Sequence, residues 1–250
     1  MNILVPMAGL SRSFCRSKFK MPRWQVTHHG LTLLSYALAG LESEKIMFVC
    51  REDHYYHGGL KELIDDRFGH HERTKVILCK DKTAGQATTA IYSSEYVGGD
   101  DPVIVLSPDQ VVDWNYYAFL KYVKGRDADA AVVVSSAVRT SASLFNVSVN
   151  EKKSTVKRVG IERRDGDYSS CGIYYFKYGS DMIRYCRAVV EKGIRHKGEY
   201  WFADSLNEAI QQGGKHPRKL VVPYFAGESY MMNKPNDMRV FQKRDPEWSR

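Results

Sequence analysis

Met1-Asn2-Ile3-Leu4-Val5-Pro6-Met7-Ala8-Gly9 is a short apolar run that closes on a glycine-containing turn. A run of this kind, with no polar alternation, reads as a strand buried on both faces, here over residues 3–7. Downstream the same unit recurs. A helical pattern over 32–41 leads to an apolar strand over 45–50, and a second over 57–68 leads to a strand over 74–79. A third, over 86–96, follows the turn Thr83-Ala84-Gly85 and leads to a strand over 102–106 that ends at Ser107-Pro108-Asp109. Strands alternating with helices are βαβ units around a largely parallel sheet. The expected class is therefore α/β: a mixed, mostly parallel, Rossmann-like sheet sandwiched by helices.

The second half is more mixed. Residues 130–136 read as a strand, 144–149 and 156–161 alternate as hairpin strands do, and 172–176 are strongly β-forming. Helical patterns cover 180–192 and 201–212, and 221–225 form a last strand. After Gly227 the chain turns polar, with a turn expected at Pro235-Asn236.

With 43% hydrophobic and 26% charged residues in a chain of 250, the composition is that of a globular protein, not a disordered or fibrous one. The net charge of +8 favours acidic partners: nucleic acid, an anionic membrane or phosphate-bearing small molecules. No nucleic-acid-binding motif accompanies the charge. No apolar run approaches the length of a membrane span, and the start lacks a basic segment followed by a long apolar one, so neither membrane insertion nor secretion is expected. Cys15, Cys50, Cys79, Cys171 and Cys186 are widely spaced with no C-x-x-C pair, which reads as free thiols in a reducing compartment and a cytoplasmic protein.

In open parallel sheets ligands bind at the carboxyl ends of the strands. Three segments fall there: Ala8-Gly9-Leu10-Ser11-Arg12-Ser13, Thr83-Ala84-Gly85-Gln86 and Pro108-Asp109-Gln110. A glycine turn brings backbone N–H groups close to a ligand, and a nearby arginine can clamp phosphate oxygens. A carboxylate directly after an apolar strand is placed to hold Mg²⁺ against nucleotide phosphates; as a turn or cap residue, Asp109 would have no such role.

Taken in order, these segments resemble the sugar-1-phosphate nucleotidyltransferase family, whose members have a GT-A-type fold. Residues 1–9 match the family's start closely, and the match continues loosely through Lys20-Met21-Pro22-Arg23 and the Gly30 turn. It resumes at Gly85-Gln86-Ala87-Thr88-Thr89, Ser107-Pro108-Asp109-Gln110, Gly160-Ile161-Glu162-Arg163 and Cys171-Gly172-Ile173-Tyr174-Tyr175-Phe176. The resemblance implies that Ala8 and Gly9 present backbone to the base and that Gly85 and Thr88 help enclose it. Arg12 would contact the triphosphate, Arg23 would stand in for a phosphate-binding lysine, and Asp109 would hold Mg²⁺. Glu162 would bond the acceptor, Arg163 its phosphate, and Cys171 and Gly172 would line that pocket. The implied activity transfers a nucleoside monophosphate from a nucleoside triphosphate to a small phosphorylated acceptor, releasing pyrophosphate. The implied organisation is a single domain over 1–250: a nucleotide-binding half over 1–125, an acceptor-binding half over 126–225 and an appendage over 226–250. A glycosyltransferase using a ready-made nucleotide sugar, and a non-catalytic nucleotide-binding relative, are the alternatives; the base and the oligomeric state stay open.

The chain departs from the family pattern at three places. Ser11 replaces a loop glycine, with Ser13 where an arginine belongs and Arg12 one place early. A side chain where positive φ is required costs on the order of 1 kcal/mol. Arg23-Trp24 replaces a lysine-proline pair, and Met231-Met232-Asn233-Lys234-Pro235 keeps a proline but lacks the aspartate that supplies a second metal ligand. Asp204 is a conceivable substitute, set inside a helical pattern. His28-His29 and His70-His71 read as turn or surface pairs, because adjacent histidines point in different directions.

Overall fold

The apolar runs form a central sheet in the computed structural model, which describes residues 1–69, 72–140, 145–161, 168–212 and 219–247. The strands are β1 (Asn2–Pro6), β2 (Thr27–His28), β3 (Leu31–Thr32), β4 (Lys45–Arg51), β5 (Thr74–Cys79), β6 (Val103–Leu106) and β7 (Gln110–Val112). They continue with β8 (Ala130–Ser135), β9 (Ala137–Val138), β10 (Asn146–Asn150), β11 (Thr155–Gly160), β12 (Tyr168–Phe176), β13 (Val221–Phe225) and β14 (Glu228–Met231). The helices are α1 (Arg12–Cys15), α2 (Leu33–Ala37), α3 (Glu52–Tyr56), α4 (Leu60–Phe68) and α5 (Gln86–Ile91). After them come α6 (Ser94–Val97), α7 (Tyr116–Gly125), α8 (Gly179–Glu191), α9 (Asp204–Gln212) and α10 (Pro235–Arg244).

β1 pairs in parallel with β4 on one side and β6 on the other, and β4 pairs in parallel with β5. β12 then runs antiparallel to both β6 and β8, and β13 returns parallel to β8. The β10–β11 hairpin joins the start of β12. Side chains alternate between two cores. Leu4, Val105 and Val132 pack with Ala90, Met182 and Leu206 on one face, while Ile3, Val5 and Ile104 pack with Leu34, Ile64 and Phe119 on the other. Burial on both faces is why these strands lack polar alternation.

The differences from sequence expectation are local. The 86–96 pattern splits into α5 and α6, where the Ser93 hydroxyl donates to Ala90 O (2.6 Å). The 57–68 pattern begins only at Leu60, after Gly59 with φ 78°. Helix α7, unassigned from sequence, is capped by the Asn115 side chain accepting from Ala118 N (2.8 Å) and buries Tyr116, Phe119 and Val123. Pro235-Asn236 is not a turn but the start of α10. Proline fits the first helical position because its missing N–H is not needed there, and Asp237 accepts from Lys234 N at 2.7 Å. Through Met238 and Phe241 this helix joins a third cluster with Phe14, Tyr36 and Tyr230.

Candidate active site

β1, β4 and β5 lie to one side of the β1–β6 boundary, so chain order reverses there and the loops leaving β1 and β6 diverge. Such a switch point opens a crevice at the carboxyl ends of the strands. Three strand-end segments meet over it: residues 6–11 after β1, 82–89 after β5 and 107–110 after β6. They wall a cavity of about 310 Å³, within the size range of small-molecule sites.

Ala8 and Gly9 line this cavity, and a Cβ added at Gly9 would meet nothing within 4 Å. Ser11 adopts φ 47°, the left-handed conformation for which glycine is suited, and its carbonyl accepts from Phe14 N and Cys15 N. Arg12 opens α1 on the exposed surface and is not among the residues lining the cavity.

Gly85 has φ 135°, and a Cβ there would collide with the Tyr200 backbone. The close approach is held by Tyr200 N donating to Ala84 O (2.8 Å) and Ala87 N to Tyr200 O (3.1 Å). Thr88 does not line the cavity; its hydroxyl donates to Gly85 O at 2.7 Å, as Thr89 does at 2.9 Å. It is Thr89 that faces the cavity. At the far wall Gly172 has φ 68° where β12 shifts register, and a Cβ there would overlap the Gln110 amide. Cys171 is fully buried beside it and outside the lining; burial pushes its thiol up to about 12, so it stays protonated and inert. Glu162 and Arg163 lie outside the described residues.

Two ion pairs cross the cavity. Arg23 Nη1 donates to Asp109 Oδ2 at 2.5 Å, with side chains 25% and 16% exposed. Lys82 Nζ meets Glu199 Oε1 at 2.9 Å. The first joins residues 86 positions apart, the second 117. The C-terminal segment closes one side: Met232 N donates to Asp109 O (2.9 Å), Arg23 Nη1 also reaches Met232 O (3.4 Å), and Asn233 lines the cavity. Asp204 is not part of the lining. It is buried against His196 Nε2 at 3.0 Å, and desolvation raises its pKa despite that partner.

Lys82, Glu199 and Phe145 were not singled out from sequence. Lys82 stands directly before the Thr83-Ala84-Gly85 turn, the one local signal for it. Phe145 and Trp201, with ring centroids 5.6 Å apart, give the opposite end an aromatic wall. Gln110 Oε1 is buried in the lining without a hydrogen-bond donor. An acceptor left in that state calls for a ligand or water donor, since an unmade buried bond costs about 1–3 kcal/mol.

No family model matches the chain, and no curated protein is similar to it in sequence. Solved structures are similar to it in fold. A nucleoside-diphosphate-sugar pyrophosphorylase from Vibrio cholerae superposes with a TM-score of 0.76 at 19% identity, covering 96% of this chain and 99% of that one. An inositol-1-phosphate CTP transferase from T. maritima gives 0.69 at 15% identity, over 94% of this chain and 90% of that one. A UDP-glucose pyrophosphorylase complexed with UDP-glucose gives 0.69 at 12% identity, over 97% and 96%. The chain has the fold of the sugar-phosphate nucleotidyltransferases, the GT-A-type α/β arrangement that the resemblance of its ordered segments implied. Among the described residues, no helix is long and apolar enough to cross a membrane.

Proposed function

We propose that this chain is a nucleotidyltransferase that moves a nucleoside monophosphate from a nucleoside triphosphate to a small phosphorylated metabolite, a sugar phosphate or a compound like it. The observation that carries this reading is the meeting of the β1, β5 and β6 loops over one cavity, with Arg23 and Asp109 facing each other inside it. The base lies against the Ala8–Gly9 backbone, where the open space at Gly9 leaves room for it. Gly85 closes the other side, and Thr88 acts indirectly by fixing the Gly85 carbonyl. The acceptor occupies the end walled by Phe145, Trp201 and Gly172, where a hydroxyl would satisfy Gln110 Oε1. Glu162 and Arg163 are proposed on the acceptor side from the sequence alone, and Arg12 as an outer triphosphate contact.

An oxygen of the acceptor phosphate attacks the α-phosphorus in line; the new P–O bond forms as the bond to the bridging oxygen of the β-phosphate breaks, and pyrophosphate leaves. Catalysis then consists of positioning and charge neutralisation. The donor set suits Mg²⁺, which takes one or two carboxylates together with phosphates and water: Asp109 is the carboxylate and Asn233 offers an amide oxygen. When bound, Mg²⁺ would neutralise phosphate charge. Arg23 would move from Asp109 to the phosphates. The free cysteines support a reducing, cytoplasmic setting.

A binding-only relative is a second reading, favoured by one observation: among the described residues, both acids lining the cavity are already paired with its bases. Pyrophosphate release from the four common nucleoside triphosphates, assayed with a panel of sugar and polyol phosphates, separates the two. Turnover that disappears in Gly9→Val while the protein stays folded supports the enzyme. Nucleotide binding without release for any acceptor supports the binding-only reading, and unchanged nucleotide affinity in Gly9→Val removes the β1 loop from the site.

A further inference from the structure

His28 and His29 sit in the β2–β3 hairpin, whose two-residue turn is His29-Gly30 with φ 46° and 77°. Adjacent side chains in an extended strand face opposite ways, which is why the pair read from sequence as mere turn residues. The positive φ at His29 removes that divergence. The two rings stand with centroids 4.0 Å apart, and both Nε2 atoms reach Asp245 Oδ1, at 2.9 Å from His28 and 2.7 Å from His29. The donor atoms of the three residues all lie within 4.8 Å of one another.

We infer that His28, His29 and Asp245 form a binding site for a divalent transition-metal ion, zinc being the species their chemistry fits best. Two imidazoles and one carboxylate are a borderline donor set of the kind that zinc, cobalt and nickel take and that magnesium and calcium, which want oxygen, do not. Zinc binds such atoms at about 2.0–2.2 Å, which sets neighbouring donors roughly 3–3.5 Å apart. The present spacings need to open by about half an ångström, a small rotation for His29, whose side chain is 53% exposed. His28 is held: its ring meets the edge of Phe241, its backbone carbonyl accepts from Tyr36 Oη at 3.0 Å, and its side chain is 11% exposed. Asp245 is the C-cap of α10, which fixes its carboxylate at the end of that helix, next to Lys243 and Arg244 of the last turn.

The site lies outside the cavity but connects its two flanks. The hairpin follows the turn that carries Arg23, and α10 follows Met232 and Asn233, which close over Asp109. An ion there ties the C-terminal helix to the Arg23 segment, a structural role that needs no part in the chemistry.

The test uses the full chain, stripped with chelator and titrated with Co²⁺ and with Zn²⁺. One ion per chain is expected, with the visible absorption of low-symmetry Co²⁺ and a raised melting temperature. His29→Ala and Asp245→Asn are each expected to weaken binding by at least about tenfold, the lower bound even for residues that merely support a ligand. His57→Ala, an exposed histidine elsewhere, should leave it unchanged. His29 is exposed in a turn, so its variant tests the ligand without threatening the fold. No bound ion in the wild type, or equal binding by the wild type and both ligand variants, overturns the site and leaves two hydrogen bonds to a carboxylate.

Discussion

Replacing Asp109 by Asn should tighten the grip on a metal-free triphosphate while abolishing any gain from Mg²⁺. Arg23 is held by Asp109 at 2.5 Å in a half-buried setting, so it must be detached before it can serve a phosphate. Two unit charges about 4 Å apart attract by about 4 kcal/mol at an effective dielectric constant near 20. Lost solvation of both groups offsets much of that, leaving about 1.5–3 kcal/mol for a charge-assisted hydrogen bond. Asparagine at 109 frees the guanidinium and also removes a negative charge from the phosphate's path. At about 1.4 kcal/mol per factor of ten, tripolyphosphate or a nucleoside triphosphate should bind about tenfold to a hundredfold more tightly. The assay is calorimetric titration in chelator and again in excess Mg²⁺, on the wild type, Asp109→Asn, Arg23→Ala and the double variant. The wild type should gain affinity with Mg²⁺ and Asp109→Asn should not, and the chelator gain should vanish in the double variant. Weaker metal-free binding by Asp109→Asn, or a gain that survives loss of Arg23, would refute the idea that Arg23 is a phosphate ligand kept in reserve by Asp109.

Gly85→Ala should destabilise the protein by on the order of 3 kcal/mol, because its Cβ would collide with the Tyr200 backbone at a φ of 135° that side chains rarely adopt; a denaturant midpoint equal to the wild type's would contradict that packing. His54 is buried beside Trp24, and desolvation lowers its pKa, Asp53 opposing and Arg51 adding to the shift. A histidine whose folded pKa is depressed gives stability that is present above its unfolded pKa, about 6.5, and lost as pH falls through the folded value. His54→Leu should flatten the acid side of the stability profile below about pH 6.5, and a wild-type slope that persists in the variant would assign it to other groups.

What the sequence made legible divides along the range of the interactions. The central strands β1, β4, β6 and β8 could be read because their signal is contiguous: they are buried on both faces, so a run such as Val103–Leu106 is apolar at every position. The three strand-end loops could be placed because a parallel sheet sends its carboxyl ends to one edge, whatever the packing elsewhere. Helix α10 was missed because a proline is read first as a breaker, and only the Asp237 cap and the burial of Met238 and Phe241 show that it begins a helix.

Pairings across the chain had no local trace. Arg23 was expected at a phosphate from the resemblance and Asp109 at a metal from its place after an apolar strand, yet in the folded protein they pair with each other across 86 residues. The same holds for Lys82 with Glu199, so the lining that contributes two bases also contributes the two acids that balance them. A triphosphate bound as proposed would meet no surplus of positive charge among these four groups, although the whole chain carries +8. On the proposed reading Arg23 exchanges Asp109 for a phosphate, and the net charge, which favours acidic partners without choosing among them, leaves the choice of site to local geometry. The departure at 23 acquires a reason on this account: arginine can hold a carboxylate and later a phosphate with the same planar fork of donors, which a lysine ammonium cannot do bidentately.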